Sequence, residues 1–158
     1  MDNVNQRGFT LLELMIVLAI TAVLTIGALS SYRGFDQLKR LEADSEAFIE
    51  SVELAKKQVS SGEKPCVGYT GTYSVSWGDT SYSVVPGGCS LLQSYELKGN
   101  EFETATSSAV FNPFGRGTTL TTDQCILVRN IYHDQCQKIT IETSGTVSSE
   151  ANPECTCN

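Results

Sequence analysis

The chain has 158 residues, 41% of them apolar, and a formal net charge of −7. That length is one domain's worth of sequence. An acidic chain with no basic cluster repels a phosphate backbone, so nucleic acid is not an expected partner.

Residues Met1 to Gly8 (MDNVNQRG) are polar and end in Arg7-Gly8. The run from Phe9 to Tyr32 follows, and Glu13 is its only side chain expected to carry a charge. As a helix the run is long enough to cross a hydrocarbon core of about 30 Å, which takes about 20 residues. A cleaved secretory signal fits poorly. Its apolar region is about 7–15 residues long, and Ala28-Leu29-Ser30 is a mediocre cleavage site. A plain signal anchor leaves Glu13 unexplained, because a carboxylate inside a membrane helix costs about 2.5–3.5 kcal/mol and marks a functional site.

The string Gly8-Phe9-Thr10-Leu11-Leu12-Glu13 resembles the class III signal of type IV prepilins and pseudopilins. The resemblance implies a prepilin peptidase cut after Gly8 on the cytoplasmic face and N-methylation of Phe9. It also implies that the apolar stretch stays on the mature protein. Glu13 falls at the fifth position after the cut, where the family carries its glutamate. The new amino group of Phe9 is a cation, and pairing it with Glu13 of a neighbour offsets the cost of burying both charges. Glu13 is therefore the expected determinant of register in an assembled filament. Many pilins carry a proline near the end of this helix. Here Gly27 and Gly34 stand in that stretch instead. Glycine costs about 1 kcal/mol in a helix, or else lets neighbouring helices approach closely.

The helical pattern continues as RGFDQLKRLEADSEAFIESVELAKKQV. Leu38, Leu41, Phe48, Val52, Ala55 and Val59 form one stripe at 3.6-residue period. Ser60-Ser61-Gly62 and Pro65 supply the stop. The stripe predicts a globular head packed on it. An independent coiled coil is the alternative, with only about three heptads and poor charge order to support it.

From Cys66 onward short β-branched and aromatic segments alternate with turn clusters. The segments are Tyr69–Val75, Tyr82–Val85, Ala109–Phe111, Cys125–Asn130 and Lys138–Glu142. The expected class is α+β, a long N-terminal helix on a head of antiparallel sheets. The expected organisation is a leader over 1–8, a transmembrane helix half over 9–31, an amphipathic half over 32–61 and a β-rich, disulfide-bonded head over 62–158. The stretch Ala109–Thr118 (AVFNPFGRGT) is similar to a strand and turn of the GspH/FimT group of minor pseudopilins and minor pilins. Lys138–Val147 (KITIETSGTV) is similar to that group's closing strand. The likeness implies two packed sheets, with Gly115 and Gly145 as turn glycines.

Six cysteines lie beyond the apolar run: Cys66, Cys89, Cys125, Cys136, Cys155 and Cys157. An even number downstream of a membrane segment predicts disulfides, and six cysteines allow fifteen pairings. Cys66 with Cys89, and Cys125 with Cys136 across a hairpin, are natural choices. Cys155 and Cys157 bond each other or reach back into the head. A zinc set of His133, Cys136, Cys155 and Cys157 lacks the short paired spacings of structural sites. A Cys-x-Cys redox pair lacks basic neighbours. No cofactor and no metal are expected, and no catalytic constellation is visible.

The expectation is a structural filament subunit of a type II secretion pseudopilus or a type IV pilus. It would be held in the bacterial inner membrane by a single pass, with its head in the periplasm or on an extracellular filament. Expected partners are other pilins, the prepilin peptidase, the assembly platform and lipid. A DNA-capturing minor pilin is an alternative, but Thr146 to Asn158 contains no Lys or Arg. A major pilin is a third.

Overall fold

The computed structural model describes residues 9–90, 93–113 and 116–157, the side chains of 26–31 and 33 excepted. Helix α1 runs over Leu11–Ser61. It ends where the sequence places a stop, with Gly62 at φ +68°. A left-handed residue just past the last turn is the usual helix terminator, and glycine adopts it without steric cost.

Among the described residues eight strands follow: β1 Tyr73–Gly78, β2 Ser81–Pro86, β3 Gln93–Glu96, β4 Asn100–Phe102, β5 Ser107–Phe111, β6 Gln124–Asn130, β7 Cys136–Ile141 and β8 Val147–Asn152. They form two four-stranded sheets, ordered β3-β2-β1-β5 and β4-β6-β7-β8. Every pairing is antiparallel. The α+β class with antiparallel sheets is thus what the chain adopts, and it is consistent with a pilin-like head.

The chain divides into two compact units, Met1–Asp36 and Gln37–Asn158. In the second unit one face of α1 closes the core. Leu41, Phe48, Val52, Ala55 and Val59 are buried there, and so is Ser45. Their spacing alternates four and three residues, which keeps one stripe facing inward. Leu38 does not join it and is 42% exposed; the core cluster on this helix begins at Leu41. Phe48 is the hub. Its ring meets Trp77, Tyr82 and Phe102 edge-on, at centroid distances of 6.0, 5.1 and 5.3 Å. Both sheets contribute: Val75 and Ala109 from the first, Ile126, Val128, Ile139 and Ile141 from the second.

A polar clamp adds to this apolar core. The Asp44 carboxylate accepts from the Lys98 backbone N–H at 2.8 Å and from Asn100 Nδ2 at 2.7 Å. Asn130 Nδ2 donates to Asn100 Oδ1 at 2.8 Å. Asn100 and Asn130 are almost fully buried, so each bond satisfies a group that would otherwise lose its water. The clamp fixes α1 against the start of β4 and the end of β6.

The expected strand over Tyr69–Val75 begins only at Tyr73. Gly71 at φ +86° interrupts the extended backbone before it. Strands β3, β4 and β8 were not expected from the sequence. β3 (QSYE) is exposed at every residue and β8 (VSSEAN) at most of them, so neither shows an apolar alternation.

Candidate functional site

Gly8 lies outside the described residues, and Phe9 is the first residue described. Thr10 caps α1. The Glu13 backbone N–H donates to Thr10 Oγ1 at 3.2 Å, and the Leu14 N–H donates to the Thr10 carbonyl at 3.2 Å. Thr10-x-x-Glu13 is a capping-box spacing, a signal the sequence reading did not use. It places Glu13 in the first turn, where a negative charge also suits the helix dipole.

Beyond that cap every described side chain from Phe9 to Thr25 is exposed. Phe9 is 83% exposed, Leu11 78%, Leu12 70% and Val23 72%. The two later threonines of this stretch are satisfied inside the helix. Thr21 Oγ1 donates to the Val17 carbonyl at 2.9 Å, and Thr25 Oγ1 to the Thr21 carbonyl at 3.0 Å. The exposed surface is thus mostly apolar, and the Thr21 and Thr25 hydroxyls turn back on the helix's own backbone. Among the described residues, no helix is long and apolar enough to cross a membrane. The expected crossing reaches into residues 26–31, whose side chains lie outside the description.

In the head the six cysteines form three disulfides: Cys66–Cys89, Cys125–Cys157 and Cys136–Cys155. The expected Cys125–Cys136 link does not form, and the register explains why. On the β6–β7 ladder Cys136 stands opposite Arg129 and Cys125 opposite Thr140. Four residues of strand separate them, roughly 13 Å at about 3.4 Å per residue, and a disulfide needs Cα atoms within about 7 Å. Cys155 and Cys157 reach back instead, so the tail is tied to both strands. Leu127 lies between these anchors on β6. It is buried yet stands outside the main core, because it points to the opposite face from Ile126 and Val128. His133 is exposed in the β6–β7 turn. With Cys136, Cys155 and Cys157 all in disulfides, the zinc set weighed from the sequence is not assembled.

The two segments that carry the head's family likeness meet in space. Phe111 on β5 forms a bridge with Thr118. The Thr118 N–H donates to the Thr143 carbonyl at 2.9 Å. Gly145 takes φ +82°, and a Cβ on it would lie 3.6 Å from the Phe111 ring. Gly115 lies outside the described residues. Gly117 is the turn glycine seen there, at φ +73°, and a Cβ on it would overlap the Thr143 carbonyl. The Lys56 ammonium donates to the Gly145 carbonyl at 2.9 Å and ties the same turn to α1.

Residues 3–29 match the family model of the prokaryotic N-terminal methylation motif. The matched span carries a type IV prepilin-like signal, and it supports a type IV pilin or pseudopilin. No curated protein and no solved structure matches the chain.

Proposed function

We propose that this chain is a structural filament subunit, a minor pilin or pseudopilin, and not an enzyme. One conjunction carries the reading. The methylation motif runs directly into a capped helix whose apolar side chains face outward on every side. Such a surface suits lipid first and neighbouring helices afterwards.

The sequence of events follows from the residues. A prepilin peptidase cuts between Gly8 and Phe9 and methylates the new amine. Before assembly the apolar half of α1 rests in the inner membrane. By sequence the apolar run continues past Thr25 through Ile26 to Leu29, which extends it toward the roughly 30 Å of a hydrocarbon core. During assembly the Glu13 carboxylate meets the Phe9 cation of the adjacent copy. Leucine and isoleucine contacts tolerate axial sliding, whereas a charge pair in a dry core selects one offset. The partners are other pilins, the peptidase, the inner-membrane platform and lipid.

The head is read as the GspH/FimT type. The contact of the β5 turn with the Gly145 turn supports this, since these are the two segments of the likeness. A subunit of that type belongs to a secretion pseudopilus or a type IV pilus. Its acidic, cysteine-stapled tail offers nothing to a phosphate backbone, which argues against DNA capture.

Shearing filaments from the host and quantifying this chain against the other subunits tests the role. A minor subunit is present at a small fraction of the main one, and Glu13→Gln removes it from the filaments while leaving it in membranes. A chain that dominates the sheared fraction is a major pilin. Wild-type incorporation of Glu13→Gln defeats the register role.

A further inference from the structure

Glu103 stands beside the Cys136–Cys155 disulfide. Its Oε2 lies 3.9 Å from Cys136 Sγ. One donor atom from each of the three side chains falls within 4.8 Å of the other two. The carboxylate is held from its other oxygen: Arg129 Nη1 donates to Glu103 Oε1 at 3.1 Å. Arg129 Nη2 is fixed in turn by Asp134 Oδ1 at 2.7 Å. Bonded to each other, the two sulfurs carry no thiolate charge and bind no cation.

We propose that reduction of Cys136–Cys155 turns this corner into a site for a soft divalent cation, best fitted by zinc, with Cys136 Sγ, Cys155 Sγ and Glu103 Oε2 as ligands. The reduction takes two electrons. With a phosphine as reductant, phosphorus attacks one sulfur and the S–S bond breaks. The phosphine leaves as its oxide with oxygen from water, and both sulfurs end as thiols. Zinc then displaces the two thiol protons to solvent.

Distance and charge both favour this set. Zinc holds thiolate at about 2.3 Å and carboxylate at about 2.0–2.2 Å, which puts tetrahedral donors roughly 3.3–3.8 Å apart. The Glu103–Cys136 separation is already close to that. Two thiolates and one carboxylate carry three negative charges, of which the zinc ion offsets two, and the Arg129 guanidinium, shared between Glu103 and Asp134, moderates the rest. Arg129 also supplies the outer hydrogen bond that orients a ligating carboxylate. Water completes the fourth position. Among the described residues, neither of the other cysteine pairs has a third histidine or carboxylate donor so placed. The sequence pattern pointed to His133 and Cys157, whereas the fold supplies Glu103. The inference rests on the head alone and is independent of the reading of the N-terminal segment.

The test uses the full chain in detergent micelles. It is reduced with tris(carboxyethyl)phosphine without oxygen, with or without one equivalent of zinc, then alkylated briefly with iodoacetamide and mapped by mass spectrometry. Zinc is expected to slow alkylation of Cys136 and Cys155 while Cys66, Cys89, Cys125 and Cys157 react as before. Glu103→Gln is expected to weaken zinc binding about tenfold or more, since even outer-shell changes cost about 10–100-fold. The oxidised chain takes up no zinc. Protection at none of the six cysteines, equal protection at all six, or full protection in Glu103→Gln overturns the proposal.

Discussion

The two ends of helix α1 live in opposite circumstances. Up to Thr25 every described side chain is exposed, although most are apolar. From Leu41 onward the same helix buries a complete stripe under two sheets. The head satisfies itself within one chain, through its core, its polar clamp and three disulfides. The N-terminal segment leaves its described side chains exposed, with only its cap and its threonines bonded within the helix. The packed core thus belongs to residues 37–158, and the assembly proposed above is assigned to the first turns of α1.

The head's independence breaks most directly at Phe48. Its ring fills the junction of three other aromatic rings and is fully buried. Phe48→Ala is expected to cost about 3–5 kcal/mol, as buried Phe truncations do, and urea unfolding followed by near-ultraviolet dichroism measures it. The processing of the N-terminus should be indifferent to that change.

The tail staples come next. Cys125–Cys157 closes a separation of 32 residues, worth about 3–4 kcal/mol in the chain-entropy account. Replacing both cysteines with serine is expected to lower the urea midpoint accordingly. An unchanged midpoint means that the strands hold the tail without the bond.

A smaller effect sharpens the comparison through pH. Burial pushes the Tyr82 hydroxyl above its ordinary 10.0, against the lowering influence of Ser51. Burial raises Tyr69 and Tyr73 as well. A raised folded value means the folded state keeps the proton longer than the unfolded chain. The stability is therefore whole below pH 10 and is lost as pH rises through the folded values. Head unfolding is expected to set in above pH 10, and Tyr82→Phe should retain more of its neutral-pH stability there. An identical alkaline profile for the variant removes Tyr82 from this account.

What the sequence made legible follows the same division. The methylation motif is contiguous, so it could be read without a fold. The α1 stripe was legible from its period, except at Leu38, where the core ends, and at Ser45, a polar residue in an apolar column. The polar clamp could not be read: Asp44, Asn100 and Asn130 come from three distant segments with no local pattern. Strand β8 was hidden because an edge strand exposed on most of its residues carries no alternation. The disulfide partners of Cys125 and Cys136 depend on strand register and on a tail folding back, and spacing encodes neither.

The central claim is that residues 3–29 are a processed assembly segment and not a passive anchor. Intact mass and N-terminal sequencing of the chain from membranes of its own host, for wild type and Gly8→Ala, test it most directly. The account predicts a mature chain beginning at N-methylated Phe9 in the wild type and an uncut chain in the variant. A wild-type chain that begins at Met1, or one cut near Ser30, contradicts it.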